Sequence, residues 1–334
     1  MFVIYFTIFV TLSVAFVNGW TDAPNAIASC VSTGCLRLKH AVLVAAAADL
    51  GGAMIMGALS SKVTETVMNI ADFGTDNRIA VIALCAAMCS VVIWAVSAWK
   101  FGIPTSESHA LIAGLTGASI AVNGGFSGID STEWSKVIKG LFISLVIGFF
   151  AGFAVSKLTA FIFKNTEKHM AEDIFKYSQI VSSALMAFMH GAQDSQKFAG
   201  ILALIFSASG IGSGFNKSPM ILLAVSSIAI AAGTATGGER IIKKVGTDMV
   251  KLRIDQGFSA DLSGALCLFV STVLGLPVST THTKTSAVIG VGFADSVKSV
   301  NLRIAGEMIA AWLFTFPGCG LMGWAITCVF MKLL

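Results

Sequence analysis

The chain has 334 residues, of which 55% are hydrophobic and only 12% are charged, and its net charge is +4. A water-soluble domain usually carries about 25% charged residues, so this composition excludes a soluble globular protein. The seven cysteines form no CxxC pair, which favours buried apolar thiols over a metal or disulfide role. No basic cluster with interleaved aromatic residues indicates nucleic-acid binding.

Long apolar segments fill most of the chain and are predicted to be membrane helices, each needing about 20 apolar residues to cross the hydrocarbon core. The first segment, 2–17, follows no Lys or Arg and precedes no small-residue cleavage site, so we interpret it as a retained helix. The other segments lie near 22–34, 40–60, 79–99, 103–122, 136–163, 178–192, 194–208, 218–237, 257–276, 279–295 and 304–331. We therefore expect an all-α, multi-pass protein of the plasma membrane.

Two polar motifs occur twice at nearly the same offset. They lie at residues 18–25 and 102–109, and again at 190–197 and 275–282. Asp22 corresponds to Asp194, 172 residues later, and His109 to His282, 173 residues later. This repetition predicts two related halves of about six helical segments each, spanning 1–165 and 166–334, with a polar linker near 164–176.

The charges of two equivalent loops predict that the halves are inverted relative to each other. Loop 239–253 carries five Lys and Arg residues, which places it on the cytoplasmic side, whereas its counterpart 61–78 is mainly acidic. Several apolar segments are short or interrupted by Pro or Gly at the repeated motifs, which is typical of discontinuous or re-entrant helices.

The first motif resembles a cation site. Asp22 and Asn25 flank Pro24, which lacks an N–H and breaks a helix locally, freeing carbonyl oxygens. Carboxylate, amide and carbonyl oxygens are the ligands that a hard cation such as Na+ prefers. Asp194 and Gln196 repeat this set in the second half. The alternative is that both aspartates only cap broken helices.

The second motif resembles an anion site, because each copy is predicted to begin a helix with Pro followed by hydroxyl residues. Unpaired N–H groups at a helix N-terminus attract anions, and two such ends can converge near the membrane midplane in an inverted protein. The alternative is that these hydroxyls merely cap the two helices. The predicted anion ligands are Thr105, Ser106, Ser108, Ser279, Thr280 and Thr281.

Five further polar residues lie in or beside these apolar segments. We expect His109 and His282 to orient the hydroxyl clusters, with contact to substrate or protons as the alternative. Lys197 either pairs with the aspartate three residues before it or adds positive charge near the anion. Lys284 either adds positive charge near the anion or extends to an interface. Asp49 stands alone in an apolar run, and an intramembrane carboxylate is a functional candidate.

The motifs are similar to those of the inorganic phosphate transporter (PiT) family, and the resemblance covers nearly the whole chain. The family signature has the form Gly-x-Asn-Asp-x-x-Asn in both halves, and a Pro-x-Ser-x-x-His motif also occurs twice. The matching stretches are 19–25, 191–197, 104–109, 277–282 and the final-helix stretch 311–317. The Gln-Lys ending of the second copy resembles the bacterial form.

The resemblance implies an inverted-repeat transporter that couples phosphate entry to Na+ or H+, usually as a homodimer. By the same resemblance, Asp22, Asn25 and Asp194 fall on essential signature positions, and Ser106 and Ser279 on conserved hydroxyl positions.

Three residues depart from the family pattern. Thr21 and Gln193 stand where Asn or His is common, and Glu107 stands where a small or hydroxyl residue is usual. A further carboxylate beside an anion site suggests an additional cation ligand or a proton-coupling group, so the coupling ion stays open between Na+ and H+.

Taken together, the residues predict a symporter in the lipid bilayer rather than an enzyme. It needs no cofactor or metal beyond the transported cation, and that cation offsets the desolvation of the anion. The first alternative is a sulfate or other oxyanion permease of the same family. A passive anion channel is a second alternative. A third is an intramembrane hydrolase using Ser106 or Ser279 with a nearby histidine.

Overall fold

A computed structural model describes residues 1–101, 105–210, 219–236 and 242–334. The predicted helix start at Pro104 and the part of the basic loop at 239–241 lie outside these ranges. The helices are α1 (Phe2–Thr21), α2 (Pro24–Ser32), α3 (Leu38–Leu59), α4 (Lys62–Asn69), α5 (Asn77–Lys100), α6 (Glu107–Asn123), α7 (Ser131–Ile162), α8 (Lys168–Ser209), α9 (Pro219–Ala235), α10 (Ile254–Leu274), α11 (Thr280–Asp295) and α12 (Leu302–Leu333).

Six helical stretches among the described residues are long and apolar enough to cross a membrane. They are Phe2–Ser32, Leu38–Leu59, Asn77–Lys100, Ser131–Ile162, Ile254–Leu274 and Leu302–Leu333. Their apolar side chains face outward in large numbers, as expected for a surface solvated by lipid rather than water. The predicted all-helical, multi-pass membrane fold is confirmed.

The two copies of the aspartate motif differ in backbone structure. Helix α1 ends at Thr21 and α2 begins at Pro24, so the predicted break at Asp22 is present. The second copy lies inside α8, a continuous helix of 42 residues, so the break predicted between 178–192 and 194–208 is wrong. The physical reason is that residues 190–197 contain no proline, and every backbone N–H there can complete the helical ladder.

Packing interleaves the two halves of the sequence. Helix α3 packs on α8 and α9, α7 on α10 and α11, and α12 on α5 and α6. Residues 189–202 of α8 are buried without exception, so the polar second motif lies in the protein interior rather than against lipid. The polar motifs of both halves are therefore brought together at the centre of the molecule.

Close contact between α3 and α8 depends on glycine. A Cβ added at Gly191 would lie 2.1 Å from the main-chain oxygen of Asp49, and one added at Gly52 would lie 1.8 Å from that of Phe188. No other residue type permits this approach. It is the approach that brings Asp49 beside the second motif.

Three of the long helices, α5, α7 and α12, begin after a short polar side chain that caps the first turn. Asp130 precedes α7 and accepts hydrogen bonds from the N–H groups of Glu133 and Thr132. These backbone donors hold the pKa of the Asp130 carboxyl below its usual value. Such caps fix where the helix begins.

Candidate functional site

The N-termini of α6 and α11 face each other, with one hydroxyl motif on each. Ser106 and Ser279 are the N-cap residues, and each side-chain oxygen accepts a hydrogen bond of 3.2 Å from the main-chain N–H three residues later, on His109 and His282 respectively. The two imidazole rings meet edge to face, with centroids 4.3 Å apart. The predicted convergence of the two motifs is therefore present, and both serines act as caps.

The two histidines are supported from behind by α12. His109 stacks on Phe316 with ring centroids 4.6 Å apart, and His282 lies against Trp312 at 3.8 Å. Both ring nitrogens of His282 and Nδ1 of His109 have no hydrogen-bond partner among the described residues. Aromatic packing therefore fixes the rings, but these three nitrogens do not orient the hydroxyl clusters through hydrogen bonds.

Asp22 lies at the break between α1 and α2 and is bonded across the molecule. Its carboxylate accepts hydrogen bonds from the hydroxyls of Thr280, at 3.1 Å, and Thr281. Asn25 donates to the same carboxylate at 2.9 Å and to the Thr281 hydroxyl at 3.3 Å. No side chain caps α2, so the carboxylate does not serve as a helix cap. The predicted cation and anion residues are thus in direct contact.

Asp194 is surrounded by three polar partners. Lys197 contacts one carboxylate oxygen at 2.6 Å, and the Asn18 amide donates to the other at 2.9 Å. Nε2 of His190 lies 3.4 Å from that second oxygen. Because α8 is continuous here, Asp194 does not cap a broken helix either.

A third buried carboxylate, Asp49, extends this network. One oxygen lies 2.9 Å from Nδ1 of His190, and the other accepts a hydrogen bond of 2.8 Å from the Thr234 hydroxyl. His190 therefore links Asp49 to Asp194. Asp49, which stands alone in an apolar run of the sequence, therefore has partners from both α8 and α9.

The remaining predicted residues are Glu107, Gln196 and Thr105, and the first two are buried more deeply than the third. Glu107 is 3% exposed and accepts a hydrogen bond from the Thr21 hydroxyl, while its second oxygen has no partner among the described residues. Gln196 is buried, with its amide N–H bonded back to Ala192 and its side-chain oxygen unpaired. Thr105 is only half-buried and lines an apolar groove between α5 and α12, away from the other hydroxyls.

Several buried oxygens at the centre could hold a cation. One ligand atom each from Asp22, Asp194 and His190 lies within 4.8 Å of the others. The side-chain oxygens of Asn18 and Asn25 are buried nearby without a partner in the described chain. Carboxylate and amide oxygens are suitable ligands for Na+. A bound cation would also reduce the repulsion between the two carboxylates.

Lys284 belongs to a separate buried network. It forms an ion pair with Asp261 and donates to the Ser29 hydroxyl at 2.9 Å. Gln179 and Ser183 complete the shell around the Asp261 carboxylate. The lysine is completely buried, so the alternative that it extends to an interface is wrong, and its charge is paired with Asp261. The ion pair holds it between α11 and α10.

Sequence reasoning did not assign a role to Asn18 or His190. Both lie four residues before a motif aspartate, on the same helix face. In the structure both contact Asp194, one from each half. The sequence signal that could have identified them is their position four residues before the aspartate in each copy of the motif.

Comparisons with known proteins agree on one family over nearly the whole chain. The model of the phosphate transporter family matches residues 18–323. A Bacillus subtilis protein named "Probable low-affinity inorganic phosphate transporter" is 35% identical over 312 residues, covering 93% of this chain and 92% of that protein. A Rhizobium meliloti protein of the same name is 38% identical, with coverage of 94% and 92%.

A solved structure described as "The sodium-dependent phosphate transporter" has the same fold. The two chains superpose with a TM-score of 0.82 over the full length of each, at 22% sequence identity. The relatives and the fold are those of transporters, not of enzymes. The hydrolase alternative is therefore excluded.

Proposed function

This chain belongs to the phosphate transporter family, and we propose that it imports inorganic phosphate by symport with Na+. Family membership makes phosphate the substrate to expect. The choice of Na+ is supported by the sodium dependence named for the structural neighbour and by the oxygen-rich surroundings of Asp22 and Asp194.

One observation carries the proposal: Asp22 accepts hydrogen bonds from Thr280 and Thr281, two of the predicted phosphate ligands. Each hydroxyl has one hydrogen and gives it to Asp22 here. A cation bound to this carboxylate would take the place of those hydrogen bonds and leave both hydroxyls to donate to an anion beside it. Burying an isolated anion in a low-dielectric interior is costly, and an adjacent cation offsets much of that cost. Binding of the two ions would therefore be mutually dependent.

The proposed phosphate site lies where α6 and α11 begin. Each helix end presents unpaired N–H groups and a positive dipole end toward the other. Ser106 and Ser279 use their oxygen lone pairs as caps, so their hydroxyl hydrogens remain to donate. A tetrahedral oxyanion could accept hydrogen bonds from both helix ends at once.

The proposed cation site uses Asp22, Asn25 and Asp194, with Gln196 and Glu107 as additional oxygen donors. Every one of these side chains is at least 97% buried, and each of the two amides and Glu107 retains an unpaired oxygen. Unpaired buried oxygens are costly without a ligand. Na+ would satisfy them without requiring any proton transfer.

H+ coupling is the second candidate because one network connects titratable groups across the site. Nδ1 of His190 lies 2.9 Å from Asp49, and its Nε2 lies 3.4 Å from Asp194 without a hydrogen bond among the described residues. Glu107, His109 and His282 add further groups that could carry a proton. If H+ replaces Na+, these residues take over the coupling role.

We also propose that the two repeats, 1–165 and 166–334, are inverted in the membrane and that the chain forms a homodimer. The inversion rests on the loop charges, and the dimer on the family resemblance alone. A reporter fused after Leu334 should read as non-cytoplasmic, because loop charge places both termini outside. Light scattering of the purified protein should give the mass of two chains.

The deciding experiment is uptake of labelled phosphate into proteoliposomes under an inward Na+ gradient or, separately, an inward H+ gradient. We expect saturable, Na+-driven uptake that sulfate does not inhibit. H+-driven uptake would instead assign the coupling role to Asp49, His190 and Glu107. Strong inhibition by sulfate would indicate an oxyanion permease, and uptake that neither saturates nor follows a gradient would indicate a channel. No uptake under either gradient would contradict the proposal.

A further inference from the structure

The two halves contain matching sets of three polar residues linked by hydrogen bonds. In the first set Asp22 and Asn25 lie three residues apart and both contact Thr281. In the second set Asp194 and Lys197 lie three residues apart, and Lys197 contacts Ser108. By the repeat, Ser108 corresponds to Thr281. The sets therefore differ chiefly in one position, where an amide stands in one half and an ammonium in the other.

In the first set the amide leaves an oxygen available. The NH2 group of Asn25 donates to Asp22 at 2.9 Å and to Thr281 at 3.3 Å. Its Oδ1 is buried and has no partner among the described residues. Beside a carboxylate and hydroxyls, such an oxygen is a ready ligand for a hard cation.

In the second set the ammonium occupies the corresponding place. Nζ of Lys197 lies 2.6 Å from a carboxylate oxygen of Asp194, 2.6 Å from the Ser108 hydroxyl and 2.8 Å from the main-chain oxygen of Val278. A carboxylate, a hydroxyl and a carbonyl are a ligand set that would suit Na+. The side chain is 1% exposed, so the ammonium is enclosed with these oxygens.

The same geometry argues against Lys197 as a direct phosphate ligand. An ammonium has three N–H donors and no acceptor. All three donors have an acceptor within 2.8 Å inside the protein. Binding phosphate would require the loss of one of these bonds.

We propose that the ammonium of Lys197 is a built-in cation that replaces one transported Na+ at the second copy of the motif. The inference rests on the proposed function and deepens it. Only the site around Asp22 and Asn25, to which the second carboxylate oxygen of Asp194 could still contribute, would then exchange its cation during transport. The chain would carry one Na+ fewer per phosphate than a chain with an amide at both positions.

The test exchanges the two side chains one at a time. Lys197→Asn removes the ammonium and supplies an amide oxygen, so it should bind one more Na+ per chain than the unmodified protein. Lys197→Arg keeps the charge and should show no gain. Asn25→Lys places an ammonium in the first set and should bind one Na+ fewer. The readouts are labelled Na+ bound at saturation to purified, monodisperse protein and the ratio of Na+ to phosphate taken up by proteoliposomes.

The outcomes separate this inference from the proposed function. If folded Lys197→Asn binds the same number of Na+ as the unmodified protein, the inference is wrong. If that variant does not fold, an unchanged Na+ count in Asn25→Lys overturns it instead. If the unmodified protein binds no Na+, the Na+ part of the proposed function fails, yet Lys197→Asn should still gain a Na+ site.

Discussion

The hydroxyl of Thr281 donates a hydrogen bond to the carboxylate of Asp22, across 259 residues of sequence. One residue stands at the start of α11 in the second half, and the other at the break between α1 and α2 in the first. This bond joins the predicted anion motif of one half to the predicted cation motif of the other. Any displacement of one half against the other must disturb it.

Replacing Asp22 with Asn should weaken both Na+ binding and the dependence of phosphate uptake on Na+. The change removes the negative charge and turns one carboxylate oxygen into an NH2 donor, so the hydrogen bonds that this oxygen accepted are lost, each worth about 1.5–3 kcal/mol when the acceptor is charged. We expect the half-saturating Na+ concentration to rise at least about tenfold, since 1.4 kcal/mol corresponds to a factor of ten. The measurement is phosphate uptake as a function of Na+. Asp173→Asn, at an exposed position on α8, is the control. Unaltered Na+ dependence in Asp22→Asn would disprove the coupling scheme.

Glu107→Gln should raise the Na+ concentration needed for half-maximal uptake, by less than Asp22→Asn does. The Glu107 carboxylate has one unpaired oxygen and adds negative charge near the cation residues. The amide keeps the shape and an acceptor for the Thr21 hydroxyl. Glu133→Gln, whose carboxylate is paired with Lys136 at the start of α7, is the matched control. A change in pH dependence without a change in Na+ dependence would instead assign Glu107 to proton coupling.

Lys284→Met should destabilise the protein by about 3–5 kcal/mol, because it leaves the Asp261 charge buried without its partner. The double variant Asp261→Leu/Lys284→Met should recover most of that loss. The readout is the free energy of unfolding in detergent by denaturant titration. Additive effects of the two substitutions would show that the ion pair contributes nothing as a pair.

Gly191→Ala should lower the yield of folded protein and destabilise it by about 1–3 kcal/mol or more, the usual cost of overpacking. The new methyl group would lie 2.1 Å from main-chain atoms of Asp49, which cannot move without shifting α3. Gly306→Ala is the matched control, because its methyl group would meet no heavy atom within 4 Å. Equal thermal stability of the two variants would show that α3 and α8 separate at little cost.

Fold class was predictable because it depends on summed properties. Low charge and long apolar segments indicate a multi-helical membrane protein. Two motifs repeated at nearly the same offset predict, in addition, two related halves. The continuity of α8 was harder to predict, since the two motif copies look alike. The difference lies in Pro24, which has no counterpart at Gln196. A proline acts locally through its missing N–H, so this difference could have been read from the sequence.

Many of the polar residues that the structure brings together could be identified from the sequence, but their pairings could not. Asp22, Asn25, Asp194 and Lys197 were identified from the repeat, whereas Asn18 and His190 were not. Which hydroxyl meets which carboxylate depends on how the helices cross, and a sequence pattern does not specify those crossings. Thr105 is an example: it shares a motif with the buried hydroxyls, yet it is only half-buried and lines an apolar groove between α5 and α12.

The sequence by itself determined the membrane environment, the duplicated motifs and the types of ligand atom that they offer, because these follow from composition and local spacing. Only the tertiary structure decided that Thr281 contacts Asp22, and that Ser108, Asp194 and Val278 enclose the ammonium of Lys197. Hydrogen bonds require donor and acceptor within about 3 Å. Positions that far apart in the chain reach such distances only through the packing of whole helices.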